Sequence, residues 1–355
     1  MRIDEDFWRG RRVLVTGHTG FKGSWLALWL SRLGARVSGL ANGVPTEPSL
    51  FRVALVDELV AGRAADVRDE RAVALAVEET RPEVIFHMAA QPIVRRSLQS
   101  GPETFATNVL GTVNVLEAAR LAPPAAVIVV TSDKVYADDG ARRPFVEEDA
   151  LGGADPYSAS KASAELVAGA YRASFALAVA TARAGNVIGG GDWSEDRLVP
   201  DAARASAAGT TMLVRNPSAV RPWQHVLCPL AGYLMLAERV AADPWAARPW
   251  NFGPAKEDAR PVRWVVEQLS RLWGPALRWE LDAADNPRET AHLAVDASAA
   301  REMLGWRPPW ALERALEETV AWYRAQAGGA QPRELCERQL DAFAAEAAQD
   351  GAGET

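Results

Sequence analysis

Short apolar runs alternate with longer mixed stretches through the first half of the chain. Arg12-Val13-Leu14-Val15 is a β-branched run that ends in a glycine-rich turn. Between Ser24 and Leu33 the apolar residues Trp25, Leu26, Leu28, Trp29, Leu30 and Leu33 cover a broad surface, and Gly34 follows. That is the pattern of a buried helix with its C-terminal glycine. Further strands are predicted at 36–40, at 59–65 (ending before Asp66), and at 84–88, 126–130 and 179–183. Helices are predicted over 69–79, stopped by Pro82, and over 102–121 and 157–175. Strands and helices in this rhythm make βαβ units, and βαβ units make an α/β fold with a doubly wound parallel sheet of the Rossmann kind.

The texture changes near Gly189-Gly190-Gly191. Tryptophans, prolines and arginines cluster between Trp193 and Trp310, and the strand–helix rhythm weakens. The expected division is a Rossmann dinucleotide-binding domain over 1–187 and a smaller, mainly substrate-binding lobe over 188–350. The chain is expected to return to the first domain near 224–254 and 289–306. Residues 345–355 are small and polar and are expected to fray.

Composition narrows the function. Lys+Arg 39 against Asp+Glu 46 gives a net charge of −7 over 355 residues. A nucleic-acid scaffold would carry a basic footprint instead. Two cysteines cannot build a disulfide framework, and four histidines without ligand spacing propose no metal site. Met1 to Asp6 is charged and lacks a signal core, and Trp25 to Leu30 is too short to span a bilayer. A cytoplasmic protein without a membrane partner is expected.

Gly17-His18-Thr19-Gly20-Phe21-Lys22-Gly23 lies between the first strand and the first helix. Its G-x-x-G-x-x-G spacing lets backbone approach a pyrophosphate resting on a helix N-terminus. The same glycines would also serve a purely structural turn. No Lys-Ser/Thr pair follows them, so this is not a Walker loop. Asn42 and Gly43 replace the acidic residue usual after the second strand, which leaves NAD expected and NADP not excluded. His18 and Lys22 would add positive charge beside the phosphates. Asp66-Val67 either holds the adenine or starts the next helix through an N-cap aspartate.

Tyr157 and Lys161 form Y-x-x-x-K, which puts both side chains on one face of a helix. A phenol of pKa about 10 is a poor base at neutral pH. A nearby lysine and a cationic nicotinamide favour the phenolate, which can then take a proton from a sugar hydroxyl. Upstream, Thr131-Ser132-Asp133-Lys134 brings a hydroxyl, a carboxyl and an amine to a strand end, on the sheet edge where ligands bind. Each of these motifs alone is weak, and combined with the glycine turn they favour a functional reading over a structural one.

The glycine turn, His87-Met88-Ala89-Ala90-Gln91, Asn108 and the Tyr157/Lys161 pair resemble the extended short-chain dehydrogenase/reductases that act on nucleotide sugars. Longer strings resemble one branch, the CDP-glucose 4,6-dehydratases: Gly17 to Leu26, Thr131 to Lys134, Asp155 to Ser158, Ala182 to Trp193, and Arg221 to Val226. The similarity runs from about residue 7 to about residue 325. It implies oxidation of CDP-D-glucose at C4 by NAD, loss of water across C5 and C6, and return of the hydride to C6. It also implies roles. Tyr157 takes the proton from the 4-hydroxyl, with Lys161 beside it and Ser132 bonding O4. Asp133 protonates the departing 6-hydroxyl. Lys134 either removes the C5 proton or stabilises the enolate. Gly17, His18, Gly20, Phe21, Lys22, Gly23, Asp66, Val67, Ala89, Ala90, Gln91 and Asn108 are expected around the cofactor, together with Tyr157 and Lys161. Asn186, Arg197, Arg215 and Arg221 are expected at the nucleotide diphosphate, although each arginine reads equally as a surface residue. A homodimer is implied, paired through the helices after Asn108 and Tyr157.

Some positions depart from that branch. Cys228 stands where an acidic residue is usual, Arg288 replaces a histidine, and the 138–149 stretch lacks aromatic residues. These departures bear on base and sugar selectivity, so dTDP- or GDP-linked dehydration remains an alternative. A 4-epimerase needs Tyr157 and Lys161 but no acid at Asp133. A non-catalytic NAD(H)-binding regulator commonly loses the tyrosine or the lysine, and here both are present.

Overall fold

The computed structural model describes residues 1–138, 140, 143–284 and 292–352, with side chains to 349. Arg288 and part of the 138–149 stretch therefore lie outside the described residues. Seven strands form one sheet: β1 (Arg12–Thr16), β2 (Arg36–Ala41), β3 (Ala61–Ala64), β4 (Val84–His87), β5 (Ala126–Val130), β6 (Val179–Arg183) and β7 (Pro249–Asn251). Their spatial order is β7-β6-β5-β4-β1-β2-β3, and every pairing is parallel. β4 and β5 are buried along their whole length, as strands covered on both faces must be.

The two faces carry separate cores. Val13, Val15, Phe86, Ile128 and Val130 pack with helix α1 (Phe21–Arg32). Leu14, Ile85, Val127 and Val129 pack with α2 (Glu70–Thr80) and α3 (Gly111–Leu121). Strand order reverses between β1 and β4, so their carboxyl ends open a crevice at the switch point. The long helix α4 (Pro156–Phe175) runs past this edge and delivers residues to it.

After β6 the chain builds small two-stranded pairs, Val187–Ile188 with Gln224–His225 and Thr211–Val214 with Arg278–Leu281. It then returns to the sheet. Helix α5 (Leu227–Ala242) is buried against the first core, and β7 follows as the edge strand. Helices α6 (Leu312–Ala327) and α7 (Pro332–Ala352) close the chain. Among the described residues no helix is long and apolar enough to cross a membrane.

Three expectations need correction. Helix α1 begins at Phe21 rather than Ser24, because Gly23 belongs to its first turn: a Cβ there would stand 2.2 Å from the Gly17 carbonyl oxygen. The 102–121 helix is interrupted by a π turn over Ala106–Leu110, where the Asn108 side chain is drawn to the loop at Gln91. The stretch expected to fray is helical to Ala352, because Leu340, Phe343 and Ala347 carry a buried stripe into it; residues 353–355 lie outside the described residues.

Candidate active site

The glycine turn fits a dinucleotide. Gly17 has φ +73°, and a Cβ on it would stand 2.8 Å from the Ala89 backbone, so the turns after β1 and β4 pack backbone to backbone. Thr16 Oγ1 accepts the N–H groups of Met88 and Ala89, each at 3.1 Å, and fixes the second turn. No side chain caps α1 at Gly20, and a Cβ on Gly20 would meet only the Gly17 oxygen at 3.4 Å. Uncapped helix N–H groups beside such space suit a diphosphate.

Other residues expected around the cofactor have partners within the chain. His18 is buried, edge-on to Phe51 and lying over Gly39, where a Cβ would come within 2.4 Å of its ring. Burial pushes its pKa below the ordinary value and disfavours its charged form. Lys22 is half-buried, with its ammonium 5.9 Å from the centre of the Tyr233 ring. Its pKa falls to about 7, first through burial, then through the charges of Arg197 and Lys161, with Asp133 opposing. Lys22 thus belongs electrostatically to the Asp133 side of the site. Asp66 does not cap α2; Asp69 does, accepting the Ala72 N–H. Asp66 instead pairs with Arg68 at 2.6 Å and accepts from Asn42 at 3.2 Å, and Arg68 holds its carboxyl well below the usual range. Val67 is packed beneath Gly111, and its carbonyl accepts from Asn114. Asn108 bonds the Gln91 backbone in both directions and donates to Ser160 Oγ at 2.8 Å, so both of its amide atoms serve the protein.

The reacting groups converge where β5 ends. Ser132 caps a short 3₁₀ turn over Asp133–Val135, accepting the Lys134 N–H at 3.2 Å. Its hydroxyl donates to Asp133 Oδ1 at 3.0 Å. Asp133 is 2% exposed, and its Oδ2 has no hydrogen-bond partner. Burial raises its pKa; Lys134, the Ser132 hydroxyl, Arg221 and Lys22 oppose that rise. Tyr157 sits in the first turn of α4, with Asp155 capping the helix. Burial raises the phenol, and the neighbouring Ser132 hydroxyl opposes that rise. The chain alone therefore does not yield the expected phenolate. One turn along, Lys161 donates to the Val130 carbonyl at 2.9 Å, and burial lowers it to about 8 while Glu165 raises it.

The arginines divide. Arg221 is buried and acts on Asp133, which puts it within the cluster. Arg197 pairs with Asp192 at 3.2 Å and acts on both Lys22 and Tyr157. Arg215 pairs with Asp196 at 2.8 Å and lines a cleft of about 420 Å³ that includes neither Tyr157 nor Asp133. Asn186 is half-buried, and its carbonyl accepts the Gln224 N–H. Gly185 carries a role not read from the sequence: a Cβ on it would stand 1.8 Å from Asp133 Oδ2. Only its position inside the Ala182–Trp193 string pointed to it.

Residues 13–246 match the model of the NAD dependent epimerase/dehydratase family. The chain belongs to this family. Within it, the chain is 45% identical to the CDP-glucose 4,6-dehydratase of Salmonella typhimurium over 91% of this chain and 93% of that protein. It is 30% identical to the UDP-glucose 4-epimerase of Mycolicibacterium smegmatis over 88% of this chain and 98% of that one. Among solved structures, the dTDP-glucose 4,6-dehydratase DesIV of Streptomyces venezuelae, crystallised with NAD and TYD, matches with a TM-score of 0.76. Its identity to this chain is 26%, over 91% of this chain and 99% of that one. Family membership accounts for the glycine turn and the Tyr157/Lys161 pair, which epimerases and dehydratases both need.

Proposed function

We propose that the chain converts CDP-D-glucose to CDP-4-dehydro-6-deoxy-D-glucose, an NAD-dependent intramolecular redox dehydration. The observation that carries this reading is Asp133, a buried carboxyl whose burial favours the protonated form, with one oxygen unpartnered and the other accepting from Ser132, beside Tyr157. An epimerase has no use for such an acid. A dehydratase must protonate a leaving hydroxyl, and the 45% identity to a CDP-glucose 4,6-dehydratase agrees.

The glycine turn, the 88–91 loop and Lys161 are assigned to NAD, which when bound takes the C4 hydride and returns it to C6. Tyr157 receives the 4-hydroxyl proton, and the Ser132 bond and the Lys161 charge offset the cost of its buried phenolate. Once C4 is a ketone, Ser132 and Tyr157 bond O4 and take up the charge that develops when the C5 proton leaves. Asp133 gives its proton to the departing 6-hydroxyl. Lys134 adjoins it and is assigned to the C5 proton or to the enolate charge. Arg197, Arg221, Arg215 and Asn186 are assigned to the diphosphate, for which guanidinium forks are suited.

The proposed assembly is a homodimer. Leu98, Phe105, Leu110 and Leu166 are exposed on the helices between 94 and 121 and on α4, the faces such a dimer would bury. Light scattering at micromolar concentration should give twice the chain mass. We place the reaction in the cytoplasm, where sugar nucleotides and NAD are made. The test of the function is incubation with NAD and CDP-, dTDP-, GDP- or UDP-glucose, followed by alkali. A 4-keto-6-deoxy product absorbs in the near ultraviolet. CDP-glucose should give it fastest. Faster turnover of another nucleotide would change the substrate, and absence of the chromophore with every substrate would end the dehydratase reading.

A further inference from the structure

The mechanism leaves one large buried charge pair unused. Glu165 and Arg183 bond at 2.9 Å with side chains 1% and 2% exposed. A buried ion pair is weak evidence for stability, since desolvation consumes much of the attraction. Its connections are more informative. Glu165 accepts from Thr131 Oγ1 at 2.5 Å and from Thr181 Oγ1 at 2.6 Å. Arg183 donates to Tyr136 Oη at 2.9 Å, and Tyr136 in turn donates to Asn251 Oδ1 at 2.6 Å on β7. Thr131 immediately precedes Ser132-Asp133-Lys134, and Tyr136 follows two residues after it. Both ends of the turn that carries the acid are thus tied to the same pair. Glu165 also lies one helical turn beyond Lys161, whose ammonium it stabilises.

We infer that Glu165 and Arg183 are positioning residues that grip the 132–134 turn from both ends and hold its register against Tyr157 and Lys161. None of the four residues Thr131, Tyr136, Glu165 and Arg183 needs to touch substrate for this. The inference builds on the assignment of Asp133 to elimination.

The test cuts the ties singly. Thr131→Val and Tyr136→Phe each release one end of the turn and leave the ion pair intact. Thr181→Val removes a bond to Glu165 that does not reach the turn, and it serves as the control. A misplacement of catalytic groups by a fraction of an ångström is costly, so kcat should fall about tenfold or more in T131V and in Y136F. Their KM should change less than about threefold, and T181V should turn over at close to the parent rate. In Glu165→Gln the alkaline limb of the kcat profile should also move to lower pH, because Lys161 loses the charge that keeps it protonated; T131V should not move it. Parent-like kcat in T131V and Y136F would overturn the inference. So would losses that merely follow the thermal midpoint and appear equally in T181V. Asp133→Asn separates the two claims. If it blocks cofactor reduction, the elimination role of Asp133 fails, while the grip on the turn is still judged by kcat in the threonine and tyrosine variants.

Discussion

Tyr157→Phe removes one oxygen from a buried side chain and leaves the ring that packs there. Turnover should drop on the order of 10² to 10⁴, the range for a positioned acid or base, with cofactor affinity by fluorescence titration close to that of the parent. Asp133→Asn should separate the two halves of the reaction. On the proposed roles, oxidation at C4 uses Tyr157, Lys161 and Ser132, so added CDP-glucose should still reduce the bound cofactor. Elimination then stalls, and the reduced cofactor accumulates as a near-ultraviolet absorbance with little product. Gly185→Ala should resemble it, because a methyl group 1.8 Å from Asp133 Oδ2 must displace the carboxyl. A Gly185→Ala enzyme with full turnover would show that Asp133 can move without consequence. The residue types of this site were legible in the sequence, since Tyr157/Lys161 and Ser132-Asp133-Lys134 sit at recognisable spacings. Their charge states were not. His18 and Lys22 read as cations beside a phosphate, yet burial lowers His18 and brings Lys22 to about 7.

Among the elements, the strands were the most legible. Runs such as Ala126–Val130 are apolar without alternation, and only a strand covered on both faces explains a run that short. Helix ends were less so, because Gly23 inside the first turn of α1 and Asn108 inside a π turn carry local signals that tertiary packing overrides. The grip of Glu165 and Arg183 joins α4 to β6, and no local pattern announces it. Helix α5 carries a further device of this kind. Glu238 accepts from Trp8 Nε1 at 2.6 Å and from the Asp4 N–H at 3.1 Å, tying the start of the chain to α5. Burial raises its carboxyl from about 4.5 to about 7. The folded state therefore binds its proton more tightly than the unfolded state. The stability this contributes is fully present below pH of about 4.5 and is lost as pH rises through about 7. Glu238→Gln keeps the acceptor and removes the charge. Relative to the parent, it should raise the unfolding midpoint at alkaline pH by on the order of 2 °C and by much less in mild acid. An equal shift at both pH values would mean that Glu238 does not titrate in this range.

At the scale of the whole molecule, the sheet puts the cofactor turn on β1 and the reacting turn on β5, on either side of the switch point. The chain after β6 supplies Arg197 and Arg221, whose charges act on Tyr157 and Asp133. The central claim is that oxidation, loss of water and reduction all occur at one site without release. CDP-glucose deuterated at C4 tests this most directly. Mass spectrometry of the fragmented product should find the deuterium at C6, with the new hydrogen at C5 drawn from water. Deuterium retained at C4, or carried away on free reduced cofactor, would contradict the account.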